Sequence, residues 1–102
     1  MFSAGCASAP SPSPSLETAR VAVGEATRYE APKYAATELA IAESKLQRAQ
    51  LEGEHGERVL ARRLAEQATV DARYAQSRAL AEREQRAAVE THQTAETLRS
   101  RP

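Results

Sequence analysis

Glu52-Gly53-Glu54-His55-Gly56 separates two alanine-rich runs, and its reading decides the fold. Two glycines three apart, straddling a polar pair, form the strongest helix-stop signal in the chain. Upstream, Ala35, Leu39, Ala42, Leu46 and Ala49 recur at a 4, 3, 4, 3 spacing. Downstream, Ala61, Ala65, Ala68, Ala72, Ala75 and Ala79 do the same, with Leu64 beside Ala65. That spacing is the heptad of a coiled-coil seam. The expected fold is all-α: an elongated antiparallel helical hairpin, coiled-coil-like, closed along an alanine-rich seam. Centring the turn on His55 pairs Ala35 with Ala75, Ala42 with Ala68, Leu46 with Leu64 and Ala49 with Ala61. Tyr34 then falls near Tyr74 as an aromatic clamp.

Working outward, helices are expected over about 32–51 and 57–98. A shorter helix is expected over about 16–29, with Ser15 as N-cap and Leu16, Ala19, Val23 and Ala26 on one face. Glu30-Ala31-Pro32 interrupts the pattern. Proline clashes with the carbonyl four residues back but is accepted in the first turn of a new helix. The expectation is a break or kink, so that the first two helices form one bent arm. The charged end of the last helix, Glu82-Arg83-Glu84-Gln85-Arg86, then lies along the first helix, touching it through Ala87, Ala88 and Val89. Its projection as a free helix is the other arrangement.

Composition supports thin helices and no large globular interior. Of 102 residues 41% are hydrophobic, but Leu, Ile, Val and Phe together number only 15. Alanine is the strongest helix former, and it buries a single methyl group. The 14 basic residues balance 14 acidic ones. Nucleic-acid binding needs a clustered basic field, and here the signs alternate. There is no run of 18 apolar residues to span a membrane.

The N-terminus reads differently. Phe2-Ser3-Ala4-Gly5-Cys6-Ala7-Ser8 places small residues and glycine before the only cysteine. Bacterial signal peptidase sites have this form where the cysteine is lipidated. Ala9-Pro10-Ser11-Pro12-Ser13-Pro14-Ser15 follows as a low-complexity spacer biased to extended geometry. Residues 1–15 are therefore expected to be a signal-peptide remnant and disordered tether, and 16–99 the helical hairpin domain. Ser3 stands three before the cysteine, where leucine is commoner, and a full leader needs a basic start and an apolar stretch ahead of it. An incidental cysteine in a tail is the competing reading.

Elsewhere the candidates are plain. His92 and Glu96 share a helix face, but no further ligand joins them, and His55 lies in the turn; no metal or cofactor is expected. Arg58, Arg62 and Arg63 form a small basic group near the turn, either a solvated face or a contact for headgroups or peptidoglycan carboxylates. The alanine seam serves either intramolecular packing or a partner helix. No nucleophile-base pair and no glycine-rich phosphate loop is seen, so catalysis and a small-molecule substrate are not expected.

Ala31-Pro32, Tyr34, Glu38-Leu39, Ala42, Lys45-Leu46 and Ala49, followed by Arg63-Leu64-Ala65-Glu66-Gln67-Ala68 and Asp71-Ala72, carry a resemblance. Over residues 16–82 the chain resembles the bacterial domain of unknown function 4398 family. The resemblance implies a small periplasmic lipoprotein with an alanine-rich hairpin in a Gram-negative envelope. Some members carry a following OmpA-like peptidoglycan-binding domain. It implies no catalytic residues.

The expected function is a non-enzymatic envelope lipoprotein held to a membrane by lipid on Cys6, facing the periplasm, with Ser8 pointing by analogy to the outer membrane. Its partners are expected to be itself, an envelope protein or peptidoglycan. The alternative is a cytosolic coiled-coil adaptor that pairs with itself or another helical protein. A third reading has the chain folding only when a partner arrives.

Overall fold

The computed structural model describes residues 13–102, and its helices are α1 (Pro14–Arg28), α2 (Ala31–Tyr34), α3 (Ala36–Glu54) and α4 (Arg58–Arg99). These hold nearly all of the described residues, and no strand is present among them. At 1.5 Å per residue the 42 residues of α4 extend about 63 Å, so the molecule is long and thin.

α1 begins two residues earlier than the spacing predicts. Ser13, not Ser15, is the N-cap: its hydroxyl oxygen accepts from the Leu16 amide at 3.3 Å. Pro14 then stands at the first helical position, where its fixed φ suits the helix and its missing N–H is no loss. Glu17 and Arg20 pair on the first turn.

The interruption at residue 30 is a reversal, not a bend. Glu30 adopts φ 67°, ψ 25°, the left-handed conformation that glycine usually supplies after a helix end. Its amide donates to the Thr27 carbonyl at 3.3 Å. α2 then makes one turn through Pro32, and Ala35, at φ −148°, separates it from α3. The helix expected over 32–51 is thus broken at Ala35.

α1 consequently runs back along the hairpin, antiparallel to α3 and parallel to α4. Its start lies at the turn end, where Leu16 and Ala19 cluster with Ala49, Leu64, Ala65 and Ala68. Its end lies at the opposite end, where Ala22 and Ala26 cluster with Ala35, Leu39, Ala42, Ala72, Ala75 and Ala79. With the Gln50 amide oxygen turned toward it, Arg20 donates at 3.1 and 3.3 Å, tying α1 to α3 near the turn. The bent-arm arrangement is therefore corrected: the hairpin of α3 and α4 is closed into a three-helix bundle by α1. α4 outruns that bundle, and from Arg83 onward every residue except the half-buried Ala95 is exposed. Ala87, Ala88 and Val89 do not meet α1.

The turn lies about one helical turn from where the spacing places it. α3 continues through Gly53 to Glu54, and only Gly56 is left-handed, at φ 81°. The Gly56 amide donates to the Gly53 carbonyl at 3.1 Å and the Glu57 amide to the Glu52 carbonyl at 2.9 Å. This pair of bonds is a Schellman motif. Gly53 instead faces α4: a Cβ placed on it would stand 3.7 Å from the Ala61 Cβ. The hairpin register follows from that contact and from two ion pairs across it. Lys45 Nζ lies 2.7 Å from Asp71 Oδ2, and Arg78 Nε lies 3.6 Å from Glu38 Oε2. Each residue of α3 thus meets α4 about four residues later than a turn centred on His55 requires. Ala35 falls level with Ala79, not Ala75, and Ala42 with Ala72, not Ala68. The Tyr34–Tyr74 clamp does not form.

The core is almost wholly alanine. Apart from Leu39 and Leu64, every buried apolar residue described is alanine, and no large side chain is fully enclosed. Such small contacts let helix axes approach closer than the usual 8–10 Å. Burial of only a methyl per layer gives each layer a small share of the stability.

Candidate interaction surfaces

The residues expected to form the seam are brought together as one. Ala35, Leu39, Ala42, Ala49, Leu64, Ala68, Ala72, Ala75 and Ala79 are buried, while Leu46 and Ala61 are half-buried at its edge. Because α1 covers the seam, it is taken up within the chain. It is not the surface a partner helix would meet. Thr69, on the same side, is buried and satisfies its hydroxyl on the Ala65 carbonyl at 3.1 Å. A threonine inside an alanine stripe gave no signal of burial in the sequence.

At the turn end stand Gly53, inside α3, and Gly56, in the turn. Arg58, Arg62 and Arg63 are exposed there, and Arg62 Nε donates to Glu66 at 3.2 Å. Ser13 caps α1 at this same end, so the polypeptide enters the bundle beside the turn. Cys6 lies outside the described residues.

The opposite end carries a group that sequence reasoning missed. Tyr34 packs on the alanine core with two cations over its ring: Lys33 Nζ is 5.0 Å and the Arg86 guanidinium 5.4 Å from its centroid. Such placement over an aromatic face adds about 0.5–1 kcal/mol where solvent reaches it. Arg83 reaches Glu30 at 3.7 Å. Both arginines come from the charged segment Glu82–Arg86, which the sequence predicts to reach the first helix through Ala87, Ala88 and Val89 instead. The arginines' role is to lock the reversal at Glu30 against α4.

Beyond that lock α4 is a single exposed helix. Arg86 approaches Glu82 at 3.9 Å, Arg99 pairs with Glu96 at 3.0 Å, and His92 lies 3.7 Å from Glu96. All are ordinary helix-face pairs, worth about 0.2–0.5 kcal/mol each. Arg78, within the bundle, reaches across to Glu38 on α3. Among the described residues no group of three or more His, Cys, Asp or Glu side chains is arranged to hold a metal ion. Among them, too, no helix is long and apolar enough to cross a membrane.

The model of a protein family, the domain of unknown function DUF4398, matches residues 14–91. The chain belongs to the DUF4398 family. The DUF4398 match opens on Pro14, the first residue of α1, and runs through the bundle into the exposed part of α4. The fold-back of α1 and the lock at Tyr34 are therefore within the DUF4398 region. No curated protein and no solved structure matches the chain.

Proposed function

We propose that this protein is a non-enzymatic lipoprotein of the cell envelope, anchored through lipid on Cys6. Its helical bundle faces the periplasm as a structural or protein-interaction module, with the outer membrane as the expected address. The observation that carries this reading is where the spacer meets the fold. Cys6 follows Ser3-Ala4-Gly5, the Ser/Pro spacer follows Cys6, and Ser13 caps α1 at the turn end of the bundle. Residues 7–13 span at most about 25 Å. A lipid on Cys6 would therefore hold the turn end, with exposed Arg58 and Arg63, close to the headgroups. Membership of the DUF4398 family supports the same reading by resemblance to its envelope lipoproteins. The thin alanine core supports a non-enzymatic role, since it offers no enclosed interior in which to perturb a catalytic group.

Fractionation of cells expressing the gene from its native upstream sequence tests this. The protein is expected with the membranes, and Cys6→Ala is expected to release it. Recovery of the wild type in the soluble fraction would overturn the proposal. The exposed end of α4 is also what a cytosolic coiled-coil adaptor would present, and that result would favour the adaptor.

A further inference from the structure

α4 carries a second heptad on the face opposite the bundle core. Stepping 3, 4 from Gln67 to Leu98, it includes Val70, Tyr74, Ala81, Ala88, Ala95 and Leu98. The core heptad of the same helix is buried through Ala79, whereas Val70 is 66%, Tyr74 57% and Leu98 58% exposed. The outer stripe does not stop where the bundle stops. Its apolar members continue from the bundled half of α4 into the free half, with Gln67, Ser77, Glu84 and Thr91 between them. Thr91, Thr94 and Thr97 are weak helix formers, and an isolated helix of this length is marginal in water.

We infer that this outer stripe is the interface of an antiparallel dimer, in which α4 of one chain lies along α4 of a second copy. The charges flanking the stripe choose the partner and its direction. In a parallel pair, each flanking residue meets the one five positions later on the other chain. Glu66 would face Asp71 and Arg73 would face Arg78, like-charged pairs softened by the contacts of Asp71 with Lys45 and of Arg78 with Glu38. Glu84, the one charged member of the stripe, would face its own copy. In an antiparallel pair centred between Glu82 and Arg83, all three conflicts vanish. Glu66 faces Arg101 of the partner subunit, while Asp71 stays with Lys45 of its own chain. Glu84 meets Ala81 of the partner subunit, and Leu80 flanks Ala87 of the partner subunit. Val70 and Tyr74 are then covered by Ala95 and Thr91 of the partner subunit. The free half of each α4 thus becomes the cover for the exposed stripe on the other bundle. The symmetry is closed, so assembly ends at two chains. The inference does not depend on lipidation of Cys6.

The test is the oligomeric state of the full chain carrying Cys6→Ser, followed by sedimentation equilibrium from about 1 to 100 μM. A dimer is expected, and a monomer throughout that range would overturn the inference. Ala88→Arg sits on the free half, away from the bundle, and is expected to weaken the dimer at least about tenfold with bundle helicity retained. A dimer unmoved by that change would assign the contact to another face. Direction is read separately by mixing a Gln67→Cys chain with a Leu98→Cys chain in the same background under mild oxidation. Disulfide between the two different chains is expected. Crosslinking only between identical chains would overturn the antiparallel arrangement.

Discussion

Lys45 and Asp71 meet across the hairpin with the ammonium 2.7 Å from carboxylate Oδ2. That oxygen is buried and has no hydrogen-bond partner among the described residues, so the lysine charge is what compensates it. Both side chains remain about one-third exposed, which keeps the pair from being a deeply buried one. Lys45→Ala should therefore cost roughly 1–2 kcal/mol, because it leaves a buried acceptor uncompensated. Asp71→Ala should cost less, since the freed ammonium can reach water. A double-mutant cycle by urea denaturation reads the coupling directly. Equal and negligible losses would show that the contact does not set the register.

The two chain reversals make opposite predictions at equivalent positions. Gly56 and Glu30 both hold left-handed backbone, at φ 81° and 67°. Gly56→Ala should destabilise by about 1–2 kcal/mol, the cost of a side chain in that conformation. Glu30→Gly should stabilise by up to about 1 kcal/mol, less the small contribution of the Arg83 contact. Thermal melts followed by circular dichroism compare them. A loss of stability in Glu30→Gly would mean that the ion pair outweighs the strain.

Close helix approach through alanine predicts strong sensitivity to added volume. Ala72→Leu, at a fully buried site in the larger alanine cluster, should cost about 1–3 kcal/mol through overpacking. Leu39→Ala should cost about 2–5 kcal/mol, since Leu39 is one of only two large buried side chains described. In so thin a core, either loss is a large share of the total. A melting curve unchanged by Ala72→Leu would place the helices farther apart than this packing allows.

The lock at the far end should be separable from the core. Tyr34→Ala removes the ring that Lys33 and Arg86 share, and should loosen α1 and α2 before α3 and α4. Hydrogen exchange resolved by segment is the appropriate measurement. Loss of protection in residues 16–34 with protection retained in 39–49 is expected. Uniform loss along all helices would make Tyr34 part of a single cooperative core.

The sequence made some of this legible and hid the rest for physical reasons. Heptad spacing identified the alanine seam because buried positions on a helix repeat without regard to what covers them. For the same reason it could not say that α1 was the cover. The spacing predicts a kink near residue 30 because Pro32 is visible in the sequence and the left-handed residue is not: Glu30 fills a place where glycine would announce a turn. Gly53 gave the contrary error. It resembles a stop, yet α3 runs through it where it faces Ala61, and taking it as part of the turn shifts the register by about four residues. The sequence does not point to the contacts of Arg83 and Arg86, because their partners, Glu30 and Tyr34, come together only once α1 has folded back.

The proposed lipid on Cys6 would anchor this bundle to a membrane. Intact mass of the protein, expressed in a Gram-negative host from its native upstream DNA, tests it most directly. A mass matching a chain that begins at Cys6 and carries added acyl groups is the predicted result. A mass matching an unmodified chain that begins at Met1 would contradict it.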